Sequence, residues 1–184
     1  TIAKSLPINY SLVVKENPSQ VTRDWRSISD YKEIMNIPNV QLIHPGVSGI
    51  ELIKNSALVI SLAGSSPLEA AFHKKPSIVF GNVIYSLIPN IVKVNEINNL
   101  PTIIKNSLNT EIDYSYLNKF LDLIDKNTAT FDMFEFQTIF NKIFYLDGSY
   151  FDVELNEKEI EKLLRNTEGI FEELIQLYVK KINN

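Results

Sequence analysis

The chain has 184 residues, 45% of them hydrophobic and 22% charged, with a formal net charge of -4 and no cysteine. That is an ordinary composition for a globular protein of one domain, or of one domain with a helical appendage. It excludes disulfides, thiolate metal sites and cysteine nucleophiles, and no apolar run approaches the roughly 18 residues of a membrane span. The charge is uneven: residues 1–94 hold nine Lys/Arg against six Asp/Glu, and residues 95–184 hold nine against sixteen. A mildly basic first half suits a phosphorylated small ligand, whereas the absence of a dense basic stripe argues against nucleic acid.

In chain order, Thr1 is not a methionine, and TIAKSLP reads as the end of a helix entering a strand, which points to a piece of a longer chain. Tyr10 to Lys15 is a short apolar strand ended by Glu16-Asn17-Pro18, since a residue before proline is pushed away from helix. Residues 19–26 read as a polar loop. Ser27 or Ser29 caps a helix over 30–36, and Val40 to Ile43 is the next strand, closed by His44-Pro45-Gly46. Ser48, with Glu51 in the capping-box position, opens a further short helix.

The stretch Ala57 to Tyr85 is the densest in signals. An apolar strand over 57–61 stops at Gly64-Ser65-Ser66-Pro67, where the proline fits the first turn of a helix over 67–74. Unpaired N–H groups at such a helix start, the hydroxyls of Ser65 and Ser66 and the positive dipole end suit a phosphate, and Glu69 stands one turn in, able to accept from sugar hydroxyls. Ser77 to Phe80 is a fourth strand with a Gly81 to Tyr85 exit loop, and Ile91 to Val94 is a fifth. Short apolar strands alternating with short helices predict an α/β, doubly wound parallel sheet over residues 1–95. Its ligands would sit beyond the carboxyl ends of the strands, where Lys15 to Pro18, His44 to Gly46 and Gly64 to Ser66 fall.

From residue 96 to 184 the pattern is helical, near 98–108, 113–126, 132–146 and 156–181, with Asn156 and Glu159 as a cap and Gly169 as a candidate interruption. Asp147, Asp152 and Glu154 lack the spacing and central glycine of a calcium loop, and the lack of cysteine with two separated histidines argues against a zinc site, so no metal is expected. His73 near a helix end carries no assigned role. Phe131, Phe134, Phe136, Phe140, Phe144, Tyr145, Tyr150 and Phe151 read as core or domain interface, including one with a missing domain or a second copy.

The order VVKENP, NVQLIHP and ELIKNSALVISLAGSSPLEAAFHKKPSIVFGNVIY resembles the carboxy-terminal half of the capsule polysaccharide biosynthesis family, whose members have the two-domain GT-B glycosyltransferase fold. The resemblance covers about residues 1–94. It implies a Rossmann-like domain that binds a nucleotide-sugar donor without metal or cofactor, and transfer to a polysaccharide or lipid-linked acceptor with an amino-terminal domain absent here. Separately, the absence of cysteine fits a reducing compartment, so the expected setting is the cytoplasm, with peripheral association at the inner face of the membrane. Gly64, Ser65 and Ser66 match the family's Gly-Thr/Ser turn, Glu69 its Glu-Ala pair, and Gly81 and Tyr85 the following loop. Lys15 would neutralise phosphate, His44 would contact base or ribose, and Asn17 stands where the family carries histidine. Asparagine donates a hydrogen bond but cannot serve as acid or base. Catalytic residues are not assigned. The alternatives are a sugar-nucleotide 2-epimerase half and a non-catalytic binding or scaffolding module of the same fold.

Overall fold

The computed structural model describes residues 1–18, 26–128, 132–144 and 156–183. Expectations for the 19–26 loop before Arg26, for residues 145–146 of the third helix beyond residue 95, for Asp147, Asp152 and Glu154, and for Phe131, Tyr145, Tyr150 and Phe151 lie outside the described residues. Two compact units divide the chain, Thr1–Asp122 and Leu123–Asn184. The first therefore runs past Asn95.

The first unit is mixed α/β. Strand β1 (Leu12–Lys15) is followed by α1 (Ile28–Met35), β2 (Val40–Ile43), α2 (Gly49–Asn55), β3 (Val59–Ser61), α3 (Ser66–Phe72), β4 (Ser77–Val79) and β5 (Ile91–Lys93), then α4 (Leu100–Leu108) and the first part of α5 (Tyr114–Asn127), which runs past the unit's end at Asp122. Ser27, not Ser29, caps α1: its hydroxyl accepts the Asp30 N–H at 3.3 Å while Asp30 accepts the Ser27 N–H at 2.8 Å, pairing two otherwise orphan donors. Ser48 caps α2 through the Glu51 N–H at 3.4 Å, and the Glu51 carboxylate turns to Lys54 at 3.1 Å.

All strand pairs are parallel, as expected of βαβ chains, but the described strands form two sheets, β1–β2 and β3–β4–β5. Among the described residues the strands do not join into one clear doubly wound sheet, and burial follows the same division. Only β4 is buried along its whole length, as a central parallel strand should be, whereas Val13 is 44% exposed and its register partner Gln41 is exposed too. The β4 to β5 crossover also carries just a single 3-10 turn, Ile84–Leu87, in place of a covering helix.

The core gathers under the three-stranded sheet. Ile78 of β4 packs with Val94, Leu100 and Ile104, and Leu58, Ile60, Phe80, Ile2 and Leu6 close around them. Burying a side chain of this size contributes roughly 1.5–3 kcal/mol, so α4 belongs to this unit energetically as well as spatially. The C-terminus of α3 ends in a Schellman motif: Lys75 N–H reaches Ala70 C=O at 2.9 Å and Lys74 N–H reaches Ala71 C=O at 3.2 Å. Lys74 occupies the left-handed position with φ 56, where glycine is usual, and its Nζ lies 5.1 Å from the centre of the Tyr114 ring.

The second unit holds α6 (Met133–Phe144) and α7 (Glu157–Ile182). Asn156 and Glu159 form the expected capping box, and α7 continues through Gly169 without interruption. The Phe136 ring packs at 5.7 Å, edge-on, against Phe171. Among the described residues no helix is long and apolar enough to cross a membrane.

Candidate functional site

The carboxyl end of β3 turns sharply because Ser61 folds back on it: Ser61 Oγ accepts the Gly64 N–H at 3.1 Å. A Cβ on Gly64 would lie 3.2 Å from that oxygen, so the turn is tight enough to favour glycine. Helix α3 then opens at Ser66 with Pro67 in its first turn. Its donors are less available than the sequence implies. Leu68 and Glu69 donate to Ser65 C=O at 2.9 and 3.0 Å, and Pro67 has no N–H, so Ser65 and Ser66 carry the N–H groups without an intramolecular acceptor among the described residues. The Ser65 hydroxyl does not cap the helix; it donates to Glu69 Oε1 at 2.6 Å and holds that carboxylate over the turn.

The exit of β4 is laid directly on this turn. Gly81 N–H donates to Leu62 C=O at 2.7 Å, and a Cβ at position 81 would meet Ala63 Cβ at 3.0 Å. Only glycine admits so close an approach without movement of a neighbour. The Tyr85 hydroxyl donates to Gly64 C=O, and burial of Tyr85 raises its phenol pKa above the usual value of 10.0. Gly64, Ser65, Ser66, Glu69, Gly81 and Tyr85 thus stand along the carboxyl edge of β3 and β4, with Gly64 tied to Tyr85, Ser65 to Glu69 and Gly81 to Leu62.

Lys93 joins them, and sequence reasoning missed it. It ends β5 in register with Val79, whose other neighbour is Ser61, and its Nζ donates to the Asn82 side chain in the Gly81–Tyr85 loop. The available signal was a lysine closing the IVK run at the edge where parallel sheets bind ligands.

Lys15, Asn17 and His44 belong to the other sheet. Lys15 ends β1 with Ile43 as register partner, which places it beside the His44 turn; its Nζ donates to Glu16 C=O at 3.5 Å. His44 Nδ1 accepts the Gly46 N–H at 3.0 Å, so the neutral ring carries its proton on Nε2. Asn17 is exposed. Glu16, passed over in the sequence, is the best-anchored residue here. Its carboxylate takes Arg26 Nε at 2.7 Å and the Tyr31 hydroxyl at 2.5 Å, and the bond to Glu16 raises the Tyr31 pKa. This fixes the end of β1 to α1.

Among the described residues no three His, Asp or Glu side chains come together as a metal site would require. Chemically, the β3–β4–β5 edge offers two N–H donors without an acceptor among the described residues, one ammonium, a held carboxylate and a buried phenol, the donor and acceptor types that an anion next to hydroxyls would pair with. Compared with protein-family models, curated proteins and solved structures, the chain matches none.

Proposed function

We propose that this chain is the donor-binding part of a GT-B-like glycosyltransferase for surface polysaccharide, built around a nucleotide-sugar crevice on a Rossmann-like α/β unit. The observation that carries the reading is the convergence of the Gly64–Ser66 turn, Glu69, the Gly81–Tyr85 loop and Lys93 at one carboxyl edge of a parallel sheet, the customary ligand edge of α/β folds. The N–H groups of Ser65 and Ser66 with the Lys93 ammonium take the diphosphate, Glu69 the ribose hydroxyls, and the Gly81–Tyr85 loop the sugar. Catalysis in this reading is stabilisation of the departing phosphate, with a base and the acceptor supplied by a second domain.

Calorimetric titration with a panel of UDP-, GDP-, CMP- and CDP-sugars is the test. One of them is expected to bind, and Lys93→Met to weaken it by about tenfold, the loss of one charged hydrogen bond. A folded chain that binds none of them rules the reading out. The sequence favours a second reading at one position: Asn17, where the resembled family has histidine, fits a binding module without chemistry. In a chain carrying the second domain, transfer from any donor supports the first reading, whereas none, even after Asn17→His, supports the second.

A further inference from the structure

Helix α7 has two apolar stripes, and α6 accounts for one. At about 100° per residue, Leu163, Thr167 and Leu174 fall on a common line. Leu163 and Thr167 on it are buried. A second line, about 80° around the helix, holds Ile160, Leu164, Phe171, Ile175, Tyr178 and Ile182. Phe171 meets Phe136 of α6 at its edge, but the others are open: Leu164 is 54% exposed, Ile175 59%, Tyr178 66% and Ile182 78%.

Positions 164, 168, 171, 175, 178 and 182 alternate spacings of four and three, the repeat of about 3.5 that keeps one seam of a helix facing a partner helix. Leu164, Arg165, Glu168, Phe171, Glu172 and Ile175 line a shallow groove along it. Among the described residues of this unit nothing fills that groove.

We infer that the seam is a dimer interface, in which α7 packs antiparallel on α7 of a second copy across a two-fold axis near residues 169–170. The charges select this arrangement. In a parallel pair Glu168 would face Glu168, two like charges on a desolvated seam. In the antiparallel pair Glu168 meets Phe171, Leu164 meets Ile175, and Arg165 beside the seam faces Glu172, an exchange that symmetry makes twice. Arg165 is free to take that partner: its contact within the helix, to Glu161, is 3.8 Å long, and the two side chains are 81% and 58% exposed. Arg165 and Glu172 centre one residue before the midpoint of Leu164 and Ile175, close enough for the charged pair to flank the apolar one, and a second copy supplies both partners itself.

Sedimentation equilibrium of the chain is expected to give a concentration-dependent dimer, and Leu164→Glu/Ile175→Glu a monomer with unchanged far-ultraviolet circular dichroism, because both positions are solvent-facing in one chain. A chain that stays monomeric at every concentration, with the seam covered by its own residues, overturns the inference, as does a double variant that still dimerises. Arg165→Glu should weaken the dimer by about tenfold and Arg165→Glu/Glu172→Arg restore it; an unrestored double swap counts against the pairing. Orientation is read by cross-linking, since there is no native cysteine to interfere. Leu164→Cys and Ile175→Cys chains should form a disulfide when mixed and not alone. Self-linked Leu164→Cys would overturn the antiparallel arrangement.

Discussion

Two buried serines show how much a single hydroxyl depends on its neighbours. Ser77 of β4 is fully buried and its hydroxyl donates to Pro67 C=O at 3.1 Å, tying the central strand to the first turn of α3. Ser107 of α4 is as deeply buried, at 2% exposure, and its Oγ has no partner among the described residues. An unpaired buried hydroxyl costs roughly 1–3 kcal/mol, and alanine is the better helix former by several tenths of a kcal/mol. Ser107→Ala is therefore expected to stabilise the chain by about 1 kcal/mol, and Ser77→Ala to destabilise it by about as much. Urea midpoints with unchanged slope would read both. A less stable Ser107→Ala would mean that the hydroxyl finds an acceptor in solution. Nothing in the sequence separates these two serines, because the difference is the position of Pro67 ten residues away.

For whole helices and strands, local chemistry dominates, and Gly169 isolates it. The glycine lies inside α7 with nothing within 4 Å of where a Cβ would be. Gly169→Ala thus adds no clash and removes the entropic cost of glycine in a helix, an expected gain of roughly 0.5–1 kcal/mol together with a higher helical signal. A drop in thermal stability would show that space at position 169 is used by a contact, and would count against the open face assigned to it. The same local rules made most elements legible. Val40–Ile43, the Asn156 cap and the Pro67 helix start follow from β-branched runs, capping residues and proline geometry. Tyr10 and Ser11 fall short of β1 because the ladder begins where Leu12 N–H meets Asn39 C=O. The division into two sheets was hidden, since it depends on which strand edges pair. At the candidate site the turn residues were readable one by one, but the Tyr85 to Gly64 bond, the Glu16 to Tyr31 bond and the place of Lys93 arise from contacts across 21, 15 and 11 residues or from sheet register.

The response of the protein to pH collects such contacts into one measurable curve. Asp113 is held below its usual value of 3.8, first by the backbone N–H of Ser115 and then by the Ser115 hydroxyl, at 2.8 and 2.7 Å. A carboxyl with a lowered folded pKa adds stability that is present above the unfolded value and lost as pH falls through the folded one. Tyr31 and Tyr85 act at the other end. Both are raised above 10.0, Tyr31 by its bond to Glu16 and Tyr85 by burial, so their stability is present below pH 10 and lost as pH rises through the folded values. The formal charge is already -4 at neutral pH, and each phenolate deepens the self-repulsion of the compact state. The chain is therefore expected to lose stability on the alkaline side above about pH 10, and Tyr31→Phe to make that limb shallower, since phenylalanine cannot ionise in either state. Below pH 9 or so the same variant should be the less stable one, having lost the hydrogen bond that fixes α1 to the end of β1. Urea midpoints of the two chains, measured across the alkaline range, should converge. If the two curves instead run parallel through the tyrosine range, Tyr31 titrates alike in folded and unfolded chains, and the Glu16 bond does not hold its proton.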